Sequence, residues 1–192
     1  MLEEEYQPRR KLPDHLKKQP EPERAFEFSI RDAAAADLPY VRAIYNHYVL
    51  NTVVTFDEEE MSLRALRHKF TNARRLKMPF IVAVSPTNQI LGYAYVYPWK
   101  EKAAYRFTVE NSIYLGPAST GKGLGKALLA ELIDRSRDAG LKEIIAVIAD
   151  KGAEASIAIH KSFGFTEQGH MGKVGFKFNR WIGTILLQKS LK

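Results

Sequence analysis

The chain contains no cysteine. That removes a disulfide framework, a cysteine zinc centre and a thiol nucleophile from consideration, and nothing suggests an oxidising compartment. No apolar run approaches the roughly 20 residues that a membrane span needs. The opening MLEEEY is acidic and lacks an apolar stretch, so it has the character of neither a secretory nor a transit segment. The expectation is a soluble, cytoplasmic protein with no membrane partner. Internal repeats and low-complexity tracts are also missing. Four of the nine prolines, Pro8, Pro13, Pro20 and Pro22, crowd the first 24 residues among charges. Residues 1–24 are therefore read as a flexible extension. The rest, 25–192, is apolar enough to build one full core in a chain that is 45% hydrophobic overall.

The formal net charge is +7. Residues 1–24 hold six basic and six acidic side chains, so the excess lies in the globular part. Such a surplus suits nucleic acid, a polyphosphate cofactor or simply a soluble surface. The lysines are scattered and no nucleic-acid motif occurs, so a nucleic-acid partner is not expected.

The most informative stretch is Thr108–Lys126. Thr108–Leu115 alternates and is rich in β-formers, which predicts a strand ended by Gly116-Pro117. Gly121, Gly123 and Gly125 follow, interleaved with Lys122 and Lys126. A helical pattern then begins with Leu124, Leu128, Leu129, Leu132 and Ile133. Glycines let backbone N–H groups converge, and a helix N-terminus adds partial positive charge, so the junction suits a diphosphate. The same junction can also close a tight turn in a protein that binds nothing. A Walker loop is excluded because Gly125-Lys126 is followed by Ala127, and the glycine spacing does not fit a dinucleotide fingerprint.

Around this stretch, Ala25–Arg31 alternates as a first strand. Asp37-Leu-Pro signals a helix start with Asp37 as the capping side chain. Ser62–Leu76 reads as a second helix, basic on its outer side. Phe80–Val84 and Ile90–Tyr97 flank a Ser-Pro-Thr-Asn turn as a hairpin. The helix after the glycines runs to about Ala139, with Gly140 as its stop. Glu143–Ile148 is a strand covered on both faces, Glu154–Ser162 a compact helix, and Thr166–His170 and Trp181–Leu187 the last strands. The order β-α-α-β-β-β-α-β-α-β-β predicts an α/β fold with a mixed sheet.

With that order in place, the loop Thr120-Gly-Lys-Gly123-Leu-Gly125 resembles the Q/R-x-x-G-x-G/A pyrophosphate loop of the GNAT superfamily of N-acetyltransferases. Thr120 stands where the family has Gln or Arg. His160-Lys-Ser-Phe-Gly164-Phe165 is similar to its late Y-x-x-x-G-F motif, with histidine for tyrosine. More closely, the chain resembles the phosphinothricin and methionine-sulfoximine acetyltransferase branch. The residues that carry this are Tyr45-Asn46-His47-Tyr48, Val53-Val-Thr-Phe56, Pro98-Trp99-Lys100 with Ala104-Tyr105, Thr108-Val109-Glu110 and Ile159-His160, in order from about Ala25 to the end. Two departures stand out: Ala153-Glu-Ala-Ser156 replaces N-D-P-S, and Trp181-Ile-Gly183 replaces W-x-D.

The resemblance implies a twisted mixed sheet splayed in the middle with helices on both faces, acetyl-CoA as co-substrate, no metal, and a homodimer. It implies acetyl transfer to a small amino-acid-like amine. The alternatives are a protein or peptide amine as acceptor, or a non-catalytic acyl-CoA-binding module. Glu110 is the candidate base, its pKa raised by partial burial. His160 is the candidate acid for the leaving thiol, or part of a base relay. Backbone N–H groups of Ile113, Tyr114 and Leu115 would hold the pantetheine arm and thioester carbonyl. Thr120, Gly121, Lys122, Gly123, Leu124, Gly125, Lys126 and Ser156 complete the cofactor set. Lys100 and Arg106 are candidates for binding an anionic acceptor, with Phe56 and Tyr105 as walls.

Overall fold

A computed structural model describes residues 26–192. The expected extension 1–24 lies outside the described residues. The elements follow the expected order. They are β1 (Ser29–Asp32), α1 (Leu38–Asn51), α2 (Leu63–Arg75), β2 (Phe80–Val84), β3 (Ile90–Pro98), β4 (Thr108–Leu115), α3 (Leu124–Asp138), β5 (Glu143–Ala149), α4 (Glu154–Ser162), β6 (Thr166–Lys177) and β7 (Arg180–Ser190). They build a seven-stranded sheet ordered β1-β2-β3-β4-β5-β7-β6. Every neighbouring pair is antiparallel except β4 and β5.

The helices start where the sequence signals them, though not always by the expected bond. Ser62 caps α2 through Oγ, which accepts from Ala65 N–H at 3.1 Å. Asp37 stands at the N-cap of α1 but its carboxylate does not cap that helix. It is held by the Arg31 guanidinium at 2.7 and 3.0 Å and by Ala34 N–H at 2.8 Å. The bidentate Arg31 pair and the backbone bond hold the Asp37 carboxyl below its usual pKa.

Two helix layers cover the sheet. Leu124, Leu128, Leu129 and Leu132 of α3 are fully buried on one face. On the other face, α1 sets the Tyr45 and Tyr48 rings edge-on against Tyr114, each at 5.2 Å, and α2 sets Phe70 against Phe80 at 5.3 Å. Tyr93 and Tyr95 of β3 stack between these groups on that same face.

β6 is longer than the expected Thr166–His170. Nearly all of it is exposed, so it shows no buried alternation. Its pairing with β7 slips at Glu167/Gly169 and Met171/Gly175. The hairpin turns at Phe178-Asn179, both with positive φ, +50° and +56°.

Gly183 in β7, where the sequence lacks the acid of the related motif, has a local reason to be glycine. A Cβ there would run into Met171 O and Asp150 Oδ2, and would lie 2.8 Å from Gly172 Cα. Asp150, at the end of β5, fills that space. Its Oδ1 accepts from Gly183 N–H at 2.9 Å and its Oδ2 faces His170 Nε2 at 3.0 Å. Gly183→Ala is expected to cost about 1–3 kcal/mol through overpacking, read as a lower midpoint in urea denaturation.

Candidate active site

β4 and β5 pair over only three positions: Thr108–Glu143, Val109–Ile144 and Glu110–Ile145. Beyond them the strands part. β3 stays paired to β4 along its whole length, and β7 stays paired to β5. The register tells which groups the parting releases. Gly116 N–H donates to Leu91 O at 2.8 Å, so on β4 the even-numbered residues exchange hydrogen bonds with β3. The N–H of Asn111 completes the last rung, at Ile145, and those of Ile113 and Leu115 point past it toward β5, into the opening. The N–H of Tyr114, expected to be free, is directed at β3 instead. Tyr48 Oη donates to Leu115 O at 2.8 Å and fixes the far end of the strand.

The opening continues into a cavity of about 670 Å³. Glu110, Ile113, Leu115, Thr120, Gly121, Gly123, Leu124, Gly125, Lys126, Ser156 and His160 all line it, together with Tyr48 and Val147. Gly121 and Gly123 have φ of +73° and +79°, the left-handed region that favours glycine. Gly123 is the N-cap of α3, and no side chain caps that end. The N–H groups of Leu124 and Gly125 in the first turn lack intrahelical partners by geometry and open on the cavity. Lys126 adds a full charge beside them. These donors fit a diphosphate.

Other parts of the expected cofactor set contribute differently. Leu124's side chain is fully buried, so only its backbone serves the cavity. Lys122 does not line the cavity; its Nζ sits 4.7 Å from the Phe26 ring centroid. Thr120 turns Oγ1 back onto Pro117 O at 3.0 Å. Gly125 has no steric need to be glycine, since an added Cβ would meet Ile159 and Leu115 at ordinary distances of 3.6 and 3.7 Å. At Ala153 the start of α4 carries no side-chain cap, and the Glu154 carboxylate accepts from Gly152 N–H at 3.1 Å.

Glu110 and Asn111 are successive strand residues, so their side chains go to opposite faces. Glu110 is half-buried on the tyrosine-rich face. Desolvation raises its pKa, and the charges of Lys69 and Lys100 pull it back down. Asn111 is buried on the other face, where its Nδ2 lies 2.9 Å from His160 Nε2. His160 Nδ1 is 2.8 Å from Ser156 O, which can only accept, so the proton sits on Nδ1. Nε2 then accepts from Asn111. Burial lowers the pKa of His160 and keeps the ring neutral. Both ring nitrogens are thus committed, and Asn111 Oδ1 has no partner among the described residues.

The expected acceptor-binding residues are less gathered than the cofactor set. Lys100 acts on Glu110 and also lies 4.7 Å from the Trp99 ring centroid. Phe56 packs against Gly175 of β6, leaving no room for a Cβ there. Arg106 turns back to Ala103 O at 3.3 Å and over the Phe107 ring. Tyr105 is exposed on a short 3-10 turn. Sequence reasoning passed over Lys69, Asn72, Tyr95 and Tyr97. Lys69 and Asn72 lie one helical turn apart on α2, beside its buried stripe of Leu66, Phe70 and Ala73. That flanking position was the available signal. Among the described residues, no three His, Asp or Glu side chains gather as a metal site.

Gly123→Ala is expected to cost about 1–2 kcal/mol of backbone strain. Since nothing lies within 4 Å of the added Cβ, the effect falls on loop conformation. Calorimetry should show acetyl-CoA affinity about tenfold weaker, with the unfolding temperature lowered by only a few degrees.

A model of the acetyltransferase (GNAT) domain matches residues 30–186. The chain is 40% identical over 163 residues to the L-methionine sulfoximine/L-methionine sulfone acetyltransferase of Pseudomonas aeruginosa, covering 85% of this chain and 94% of the relative. It is 36% identical over 163 residues to the phosphinothricin N-acetyltransferase of Alcaligenes faecalis, covering 85% and 82%. Among solved structures, a GNAT superfamily phosphinothricin acetyltransferase from Sinorhizobium meliloti in complex with AcCoA superposes with a TM-score of 0.81 at 42% identity, covering 85% and 88%. The open strand pair, the uncapped helix end and these likenesses agree, and the chain belongs to the GNAT acetyltransferase family.

Proposed function

We propose that residues 25–192 form one catalytic domain that transfers the acetyl group of acetyl-CoA to the amino group of a small amino-acid-like acceptor. Phosphinothricin, methionine sulfoximine and methionine sulfone are the acceptor types that the relatives' names suggest. The observation that carries this reading is a half-buried carboxylate, Glu110, set at the point where β4 and β5 part and opening on the cavity of the released amides.

When bound, acetyl-CoA supplies a thioester carbonyl and a thiol leaving group. The first turn of α3 and Lys126 hold the diphosphate. The N–H groups of Ile113 and Leu115 donate to the pantetheine arm and to the carbonyl oxygen as it gains charge. Glu110 removes a proton from the acceptor ammonium, directly or through one water, so that nitrogen has a lone pair for attack. His160 has no proton on the nitrogen that faces Asn111. We therefore assign it the holding of Asn111 rather than delivery of a proton to sulfur.

A second part of the proposal is a cytoplasmic homodimer. No helix among the described residues is long and apolar enough to cross a membrane. The absence of cysteine is in keeping with a reducing compartment. Met171, Val174, Phe176, Phe178 and Trp181 on the β6–β7 hairpin are all about half exposed, and a run of apolar side chains of this kind suits a partner surface. Light scattering should give twice the chain mass, and Phe176→Glu combined with Trp181→Glu should give the monomer. A monomeric native chain would refute the dimer.

For the chemistry, Glu110→Gln should lower kcat by about 10²–10⁴-fold while acetyl-CoA affinity stays the same. The base works only when ionised, and burial raises its pKa. In the native enzyme kcat/KM should therefore fall as pH drops through a value above the ordinary glutamate range. Unchanged turnover in Glu110→Gln, measured by thiol release, would remove Glu110 as the base.

A further inference from the structure

On the face away from α3 and α4, β3 presents Tyr93, Tyr95 and Tyr97 at alternate positions. They stand opposite Tyr114, Ser112 and Glu110. Tyr97 is thus the direct cross-strand neighbour of the base. From α2, Lys69 reaches over these rings. Its Nζ lies 5.5 Å from the Tyr95 centroid, 5.8 Å from the Tyr97 centroid and 3.3 Å from Tyr95 Oη. Asn72, one turn on, donates to Tyr97 Oη at 2.6 Å and fixes that ring.

The charges here do not balance. Lys69 and Lys100 are the two cations that act on Glu110. Neither joins an ion pair with it, nor with any other described carboxylate. Asp57, which also acts on this tyrosine cluster, accepts from the Tyr45 hydroxyl and has its own cation in the buried Lys177 ammonium. Two ammonium groups thus act on one carboxylate; Lys100 is exposed, while Lys69 and Glu110 are half-buried, where water screens the surplus less. An ammonium carries three donors. Lys69 commits one to Tyr95 and keeps two.

We propose that Lys69, beside the Tyr95 and Tyr97 rings, is the anchor for the carboxylate of the acceptor. This rests on the acceptor class proposed above and deepens it. In an α-amino acid the amine and the carboxylate hang from one carbon. An amine held at Glu110 places its carboxylate a few ångströms away, the region that Lys69 serves. The acceptor then brings the one negative charge that the pocket lacks. Its side chain lies along the tyrosine wall, and an amine without a carboxylate forfeits the ammonium contact.

The test is Lys69→Met, with acetyl-CoA binding by calorimetry as the measure of an intact fold. The probes are L-methionine sulfone and the amine obtained by removing its carboxylate, 3-(methylsulfonyl)propylamine. The proposal predicts a KM, or an inhibition constant for a slow acceptor, at least tenfold higher for the amino acid and unchanged within about twofold for the amine. kcat should stay within a fewfold, and Lys69→Arg should restore part of the loss. An equal change for both probes would overturn the subsite. So would an acid limb of kcat/KM moved to higher pH with no discrimination between the probes, which would make Lys69 only a counter-charge to Glu110. If the native enzyme bound acetyl-CoA yet acetylated neither probe nor any other amino acid, the acceptor reading would fall and the subsite with it.

Discussion

Everything proposed for this site depends on a β-ladder that stops short and leaves two amides of β4 without a strand partner. A strand inside a sheet normally has both edges paired, because a buried N–H without a partner is costly. β4 keeps one edge fully paired and gives up the other after Glu110. The amides of Ile113 and Leu115 are left aimed at an opening between two strands that are each anchored on their outer side. The opening therefore persists without a ligand, and the donors are oriented before one arrives. The uncapped end of α3 repeats the same device a few residues later. In both places the chain leaves backbone donors open to the cavity, and we propose that the cofactor takes them.

The parting also divides the labour of the two sheet faces. Successive residues of β4 carry Glu110 to the tyrosine face and Asn111 to the α4 face. The carboxylate meets the cations and rings that suit an acceptor. Asn111 meets His160, itself locked by Ser156 O. This network leaves Asn111 Oδ1 without a partner among the described residues, a cost of about 1–3 kcal/mol for a buried acceptor. The chain carries that cost at a position where a rigid side chain borders the cavity. A direct relay from Glu110 to His160 would have to cross the strand, and the side-chain directions oppose it.

Element order was legible because each element announces itself locally. The glycine loop, the Ser-Pro-Thr-Asn turn and the leucine stripe of α3 depend on near neighbours only. The place of Glu110 near the middle of the sheet was legible through its position on an alternating strand together with the family likeness, and its role as base is the proposal made above. What stayed hidden depends on pairing. Whether Tyr114 or Leu115 frees its N–H is set by which residue of β3 stands opposite, and no spacing in β4 encodes that. Lys69 was hidden because a lysine on a basic helix looks solvated until Tyr95 and Tyr97 are seen beneath it. The length of β6 was hidden because the strand lacks a buried face. Gly183 read as a lost acid, and only the fold shows Asp150 occupying the same space.

The direct test of the central claim is amide hydrogen exchange at Ile113 and Leu115, followed by NMR with and without CoA. If these groups face the opening and hold the pantetheine arm, saturating CoA should slow both by at least about tenfold while Tyr114, already bonded to β3, changes little. Equal exchange rates at Ile113 and Leu115 with CoA shown to be bound would contradict the account.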